Sequence, residues 1–383
     1  MSSGVVKLTG ITWDHSRGLV PMVATAQRFG ELNPNIEIKW VKRSLQDFAD
    51  KPLGELASDY DLIVIDHPWA GFVSANGVLV PMDEHLSEAY LQDQADNSVG
   101  ASHRSYAWDG HQFALAIDAA TPVASSRPDL LEKHNLKLPE TWEQLLALAD
   151  EGFVAFPAIP IDTLMNFYMF CIANGEEPFL SQQEVVSKEV GIKALQTLRN
   201  LAQKVDKSCF DWNPIKVYEA MTRTDKYAYC PFAYGYTNYS RPGYARELLH
   251  FHDVVSFGNS GKLRSTLGGT GLAVSTTCQH VEVAMQYAAF VASPECQQTL
   301  YFTSGGQPGH RAAWLSEETN RQSANFLKAT LPTLDRAFLR PRYKGYMHFQ
   351  DHGGTPIRNY MMQGGNEEHV LNELNKLYKE SRK

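Results

Sequence analysis

The feature that most constrains this chain is the alternation of strand and helix signals over its first third. Val5 to Trp13 reads as a strand, Val20 to Leu32 as an amphipathic helix, Ile36 to Val41 as a second strand and Tyr60 to Asp66 as a buried third. Strands separated by helices imply right-handed crossovers, which predicts an α/β fold of mostly parallel sheets flanked by helices. A chain of 383 residues is long enough for two cores, which predicts two lobes.

Further along, Asp109-Gly110 marks a turn, residues 111–126 read as extended, and Arg127-Pro128 opens a helical region. Thr141 is placed to cap a helix, with Gln144 three residues later as its capping-box partner. Helical patterns follow over 163–174, 187–204, 215–222, 280–292, 294–301 and 367–379, with a strand at 227–236 and a glycine-rich strand entry at Gly268-Gly-Thr-Gly-Leu-Ala-Val-Ser275. The chain is expected to cross between lobes near Ala116–Asp118 and again near Leu267–Gly271. Segment boundaries are expected at 1–117 (first lobe), 118–270 (second lobe), 271–312 (first lobe) and 313–383 (C-terminal and helical, mainly second lobe).

Composition removes several classes of function. Lys plus Arg total 35 against 43 for Asp plus Glu, a net charge of −8, and no long basic run is present, so nucleic acid is not an expected partner. The longest apolar runs fall far short of the ~20 residues a membrane-crossing helix needs. Cys171, Cys209, Cys230, Cys278 and Cys296 are scattered without a CxxC pair and read as buried thiols rather than a disulfide or zinc framework. Met1 to Leu8 has neither the charged start nor the apolar stretch of a secretion signal. Two locations remain: outside the membrane after signal removal, or the cytoplasm.

Ligands of open α/β sheets collect beyond the carboxyl ends of strands. Trp13-Asp14-His15-Ser16-Arg17 follows the first strand, and Asp66-His67-Pro68-Trp69 follows the third. Asp118 lies at the first expected crossing, Gly269 and Thr270 at the second, and Asp162 precedes a helix. Phe232, Tyr234 and Tyr236 sit on or just after a late strand, whereas Tyr227 and Tyr229 alternate with small residues and read as core. Flat aromatic rings against C–H faces, with carboxylate and guanidinium groups on neighbouring hydroxyls, suit a polyol. The same Asp-His pairs, with His310, would also suit a metal-assisted hydrolase, but no HExxH or other metal spacing is present and no GxSxG elbow supports a covalent enzyme. Gly268-Gly-Thr-Gly271 matches no phosphate-binding pattern and reads as glycines permitting close backbone approach. His310 and Arg311 read as helix-start polar groups, and the basic stretch Leu339–His348 as solvated surface.

The segments Asp61-Leu-Ile-Val-Ile-Asp-His-Pro-Trp-Ala-Gly71, Gly77–Asp83, Trp108–Leu115, Arg127–Leu131, Pro139–Trp142, Gly268–Val274 and Gly305-Gly-Gln-Pro308 occur in an order that resembles the extracellular solute-binding proteins of bacterial ABC importers, the carbohydrate-type family that includes maltose-binding proteins. The resemblance covers roughly residues 5 to 310. It implies a two-lobed periplasmic-binding-protein-like fold of type II, a hinge between the lobes, and a sugar or related polar solute held in the cleft as the hinge closes. It also implies an ABC transporter permease as partner, a monomer, no cofactor or catalysis, and a periplasmic or lipid-anchored extracellular location. Carried over by region, the ligand contacts are Trp13 through Arg17, Asp66 through Trp69, Asp118, and Phe232 through Tyr236. A cytoplasmic ligand sensor on the same fold is the alternative that the missing signal allows.

Overall fold

The structure, a computed structural model, describes residues 4–44 and 52–383. Its strands, in chain order, are β1 (Val6–Trp13), β2 (Ile36–Arg43), β3 (Leu62–Ile65), β4 (Ala107–Trp108), β5 (His111–Gln112), β6 (Leu115–Ala120), β7 (Pro122–Ser126), β8 (Tyr229–Tyr234), β9 (His250–His252) and β10 (Gly268–Val274). The chain forms two compact units. The first comprises Met1–Ala120, Gly268–Asn320 and Arg342–Lys344; the second comprises Thr121–Leu267, Arg321–Pro341 and Gly345–Lys383. The chain thus passes between units at Ala120–Thr121, Leu267–Gly268 and Asn320–Arg321, against breakpoints expected from the sequence after residues 117, 270 and 312, and Arg342–Lys344 returns to the first unit.

The first unit is built on a five-stranded sheet in the order β2-β1-β3-β10-β6. The expected parallel pairing holds for β1 with β2, in register from Val6↔Ile36 to Trp13↔Arg43, and for β1 with β3. It ends there: β10 runs antiparallel to both β3 and β6, because it enters from the second unit rather than through a crossover helix. The continuous apolar run of β3 is explained by cores on both faces. Leu62 and Val64 join Leu8, Met22, Phe29, Trp40 and Tyr287 on one side, and Ile63 and Ile65 join Ile11, Leu56 and Val73 on the other. Asp109 and Gly110, both at positive φ (50° and 85°), make the predicted turn between β4 and β5.

Helix α1 spans Ser16–Leu32 and so begins four residues before the apolar periodicity that predicted it. The reason is its cap: the His15 ring nitrogen Nδ1 accepts a hydrogen bond from the Arg17 backbone N–H at 3.0 Å, a role usually filled by Ser, Thr, Asp or Asn.

The second unit carries a three-stranded sheet in the order β8-β7-β9, wholly antiparallel, so the parallel expectation does not extend to it. Helices Pro160–Ala173, Lys188–Ala202, Tyr346–Gln363 and Glu367–Ser381 supply most of its mass. The Thr141–Gln144 capping box forms in both directions at the start of the helix Trp142–Asp150. Where the helix Tyr346–Gln363 meets the helix Pro160–Ala173, the contact is backbone to backbone: a Cβ on Gly354 would lie 1.9 Å from the Pro160 carbonyl oxygen. The five cysteines are buried free thiols.

The basic stretch expected on a solvated surface is instead partly internal. Arg340 of the second unit is 4% exposed and donates to Gln350 Oε1 at 2.6 Å. Arg342 of the first unit donates to the carbonyls of Arg104, Ser105 and Ala107 at 2.7, 3.1 and 2.7 Å, and lies over the Trp108 ring. A guanidinium spreads its donors over a fixed fork and so collects backbone carbonyls well.

Candidate functional site

In the first unit, the loop after β1 and the strand β6 are brought together by one interaction. Arg17, at the start of α1, donates through Nε to Asp118 Oδ2 at 2.8 Å and through Nη2 to Asp118 Oδ1 at 2.5 Å. Both side chains are buried, at 4% and 0% exposure. Burial pushes the Asp118 carboxyl up while the Arg17 guanidinium draws it back. The two residues expected to grip a ligand from separate places therefore grip each other, anchoring α1 to the last strand before the chain leaves this unit.

Beside Asp118, β10 brings the predicted Gly269 and Thr270 into register, with Thr270 opposite Asp118 and Gly269 opposite Ala119. Gly269 has φ +96°, and a Cβ there would sit 2.4 Å from the Asp118 carbonyl oxygen, so close backbone approach is what this glycine provides. The Thr270 hydroxyl is buried and hydrogen-bonded to no described residue.

The remaining first-unit candidates separate. The Trp13 indole is 4% exposed and belongs to the core with Leu8 and Met22; a Cβ on Gly18 would lie 2.5 Å from it. It is the floor on which the first turn of α1 rests rather than an open stacking surface. Asp14 is exposed and accepts from Lys42 Nζ at 2.8 Å. The His15 imidazole is pushed down to about 4, first by burial and then by the Arg17 charge, so at neutral pH it is uncharged; with Nδ1 accepting, its hydrogen is on Nε2. Asp66 caps a short 3-10 turn by accepting the His67 backbone N–H at 2.8 Å, and the fully buried His67 ring meets Tyr106 edge-on. Trp69 is half-buried against Phe72. The Asp-His pairs thus point to different duties, and among the described residues no group of three His, Cys, Asp or Glu is placed to hold a metal ion. His310, also weighed for that role, caps the helix Arg311–Leu315 through Nδ1.

In the second unit, Asp162 stands in the first turn of the helix Pro160–Ala173 and is 5% exposed. Its Oδ2 has no hydrogen-bond partner among the described residues, and burial pushes its carboxyl up to about 8. One turn on, Asn166 is 3% exposed, and its side-chain nitrogen also has no hydrogen-bond partner among the described residues. Thr163, between them, is satisfied by donating to the carbonyls of Pro160 and Gly354. A buried polar atom without a partner costs about 1–3 kcal/mol, so two on one helix face mark a place where a bound molecule would repair a deficit. Asn166 was not among the residues singled out from the sequence. The signal was present: in Pro160-Ile-Asp-Thr-Leu-Met-Asn-Phe-Tyr-Met-Phe170 it is the polar residue at i+4 from Asp162 on an otherwise apolar helix.

The predicted aromatics of this unit are mostly packing groups. Phe232 is fully buried between Phe156 and Phe170, with ring centroids 5.5 and 6.0 Å away, which gives it a place in the core. Tyr236 is 7% exposed and leans edge-on against Tyr218. Tyr234 is half-buried, and its carbonyl accepts from the Tyr218 hydroxyl at 3.1 Å.

The chain thus forms two units of mixed helix and strand, each with buried polar atoms that have no hydrogen-bond partner among the described residues. The chain belongs to the bacterial extracellular solute-binding protein family, whose model matches residues 24–326. Solved structures share the fold over nearly the whole chain. Maltose-bound MalE3 of T. maritima is 16% identical with a TM-score of 0.84, covering 98% of this chain and 99% of that one. An ABC transporter solute-binding protein of Agrobacterium radiobacter in complex with ribitol is 18% identical with a TM-score of 0.82, covering 98% and 99%. The Thermus thermophilus maltotriose-binding protein with maltotriose is 18% identical with a TM-score of 0.78, covering 99% and 100%.

Proposed function

We propose that this protein captures a small polyhydroxylated solute, a sugar or sugar alcohol, outside the cytoplasmic membrane and delivers it to the permease of an ABC importer, without catalysing a reaction on it. The observation that carries the ligand class is the Asp162–Asn166 pair. A carboxyl held protonated at neutral pH is both donor and acceptor, and a primary amide is likewise both, so together they match adjacent hydroxyls, which donate and accept in turn. A polyhydroxylated solute can use both the donors and the acceptors of this pair, whereas an anionic group would use only its donors and a cationic one only its acceptors. Fold relatives crystallised with maltose, ribitol and maltotriose support the same class. The Thr270 hydroxyl is the corresponding unmet group of the first unit.

A thermal-shift screen over sugars, sugar alcohols, sugar acids and amino acids identifies the ligand, because a molecule that binds only the folded state raises its apparent stability. Titration calorimetry with that ligand then tests the site. Asp162→Ala and Asn166→Ala should each weaken binding about 5- to 150-fold, the equivalent of one lost buried hydrogen bond worth about 1–3 kcal/mol. Unchanged affinity in both folded variants, or a screen answered only by amino acids, would overturn the proposal.

A further inference from the structure

Away from these groups, one pair of metal-ligating side chains stands on the surface of the second unit. His348 and His352 are both exposed and lie one turn apart on the helix Tyr346–Gln363, whose buried side is formed by Phe349, Gln350, Gly353 and Ile357. Positions i and i+4 share a helix face, and here the ring centroids are 4.6 Å apart with planes inclined by 37°.

The second ring is held in a defined state. His352 Nδ1 lies 2.8 Å from the His348 backbone carbonyl oxygen. A carbonyl only accepts, so Nδ1 carries the hydrogen and the neutral ring keeps its lone pair on Nε2. Metal-binding histidines are oriented in this way, with the nitrogen that does not ligate donating to a carboxylate or backbone carbonyl. The His348 ring makes no hydrogen bond to a described residue. A metal ion about 2.1 Å from one nitrogen of each ring would see centroids 4.6 Å apart at an angle of about 90°, which octahedral and distorted tetrahedral coordination accept.

We infer that His348 and His352 chelate a borderline divalent transition-metal ion such as zinc, nickel or copper on the outer face of this helix. Imidazole selects these ions over the hard, oxygen-seeking magnesium and calcium. Among the described residues no third His, Cys, Asp or Glu closes the shell, so water fills the other positions and the ion exchanges readily.

The test is calorimetric titration of the full, untagged chain with ZnCl2, beside His348→Ala and His352→Ala. Both positions are solvent-exposed, so the variants should match the parent in thermal midpoint without metal. The parent should show a site that weakens at least tenfold in each variant, and zinc should raise the midpoint of the parent alone. Magnesium should give no such response. Zinc binding that survives either substitution, or no binding at millimolar zinc, would overturn the inference.

Discussion

Replacing Arg17 by Met tests how the first unit is held together, because Met keeps much of the buried aliphatic length and removes only the guanidinium. Asp118 would then be a fully buried carboxylate without its partner. Such a group escapes by taking a proton, and the cost of holding it neutral at pH 7 is bounded by the distance from its ordinary value of 3.8, about 1.36 × (7 − 3.8) ≈ 4.4 kcal/mol. That agrees with the 3–5 kcal/mol typical of breaking a buried ion pair on one side. The sign is fixed by the proton count. Between pH 4 and 7 the folded variant holds a proton that its unfolded chain has released, so its stability falls as pH rises, and at pH 5 the same bound is only about 1.6 kcal/mol. Urea unfolding followed by tryptophan fluorescence is the assay, since Trp13, Trp40, Trp69, Trp108 and Trp314, five of the seven tryptophans, belong to the first unit. With a slope of about 2 kcal/mol per molar urea, the midpoint should drop by about 2 M at pH 7 and by less than 1 M at pH 5. Arg17→Met/Asp118→Leu, which removes both charges, should recover most of the loss. A loss at pH 7 below about 1 kcal/mol, or equal losses at both pH values, would refute the reasoning.

Two further outcomes follow from the second unit. The Asp162 carboxyl is raised to about 8 in the folded state from an ordinary 3.8, so its contribution is fully present below about pH 4 and is lost as pH rises toward 8; Asp162→Asn should flatten that part of the thermal-midpoint profile, and a parallel profile would count against a buried, unpaired carboxyl. Gly354→Ala places a methyl 1.9 Å from the Pro160 carbonyl oxygen and must push two packed helices apart, so it should cost about 1–3 kcal/mol in chemical denaturation, whereas Ala at the exposed Thr355 beside it should cost well under 1 kcal/mol.

What was legible in the sequence, and what was not, divides along the range of the forces involved. Local signals were readable: the Thr141–Gln144 box, the Asp109-Gly110 turn, and the unbroken apolar run of β3 that only a strand buried on both faces can carry. The direction of β10 was not, because antiparallel pairing with β3 and β6 depends on where the chain re-enters the unit, and no residue of Gly268–Val274 encodes that. The site shows the same division more sharply. Residue types drew attention to Arg17, Asp118, Thr270 and Asp162, but type alone cannot say whether a polar side chain is spent inside the protein or kept for a ligand. Arg17 and Asp118, 101 residues apart in the chain, are spent on each other; Asp14 on Lys42; His15 on capping α1; and Trp13 and Phe232 on the cores. Asp162, Asn166 and Thr270 differ from these, each being buried with an atom that meets no hydrogen-bond partner among the described residues. Evolution toward stability alone would replace such atoms with apolar ones or supply them with partners, since each costs about as much as a substantial fraction of a domain's net stability. The binding site proposed above therefore rests on these unmet atoms of the helix Pro160–Ala173 and of β10 rather than on the aromatic residues that first suggested it.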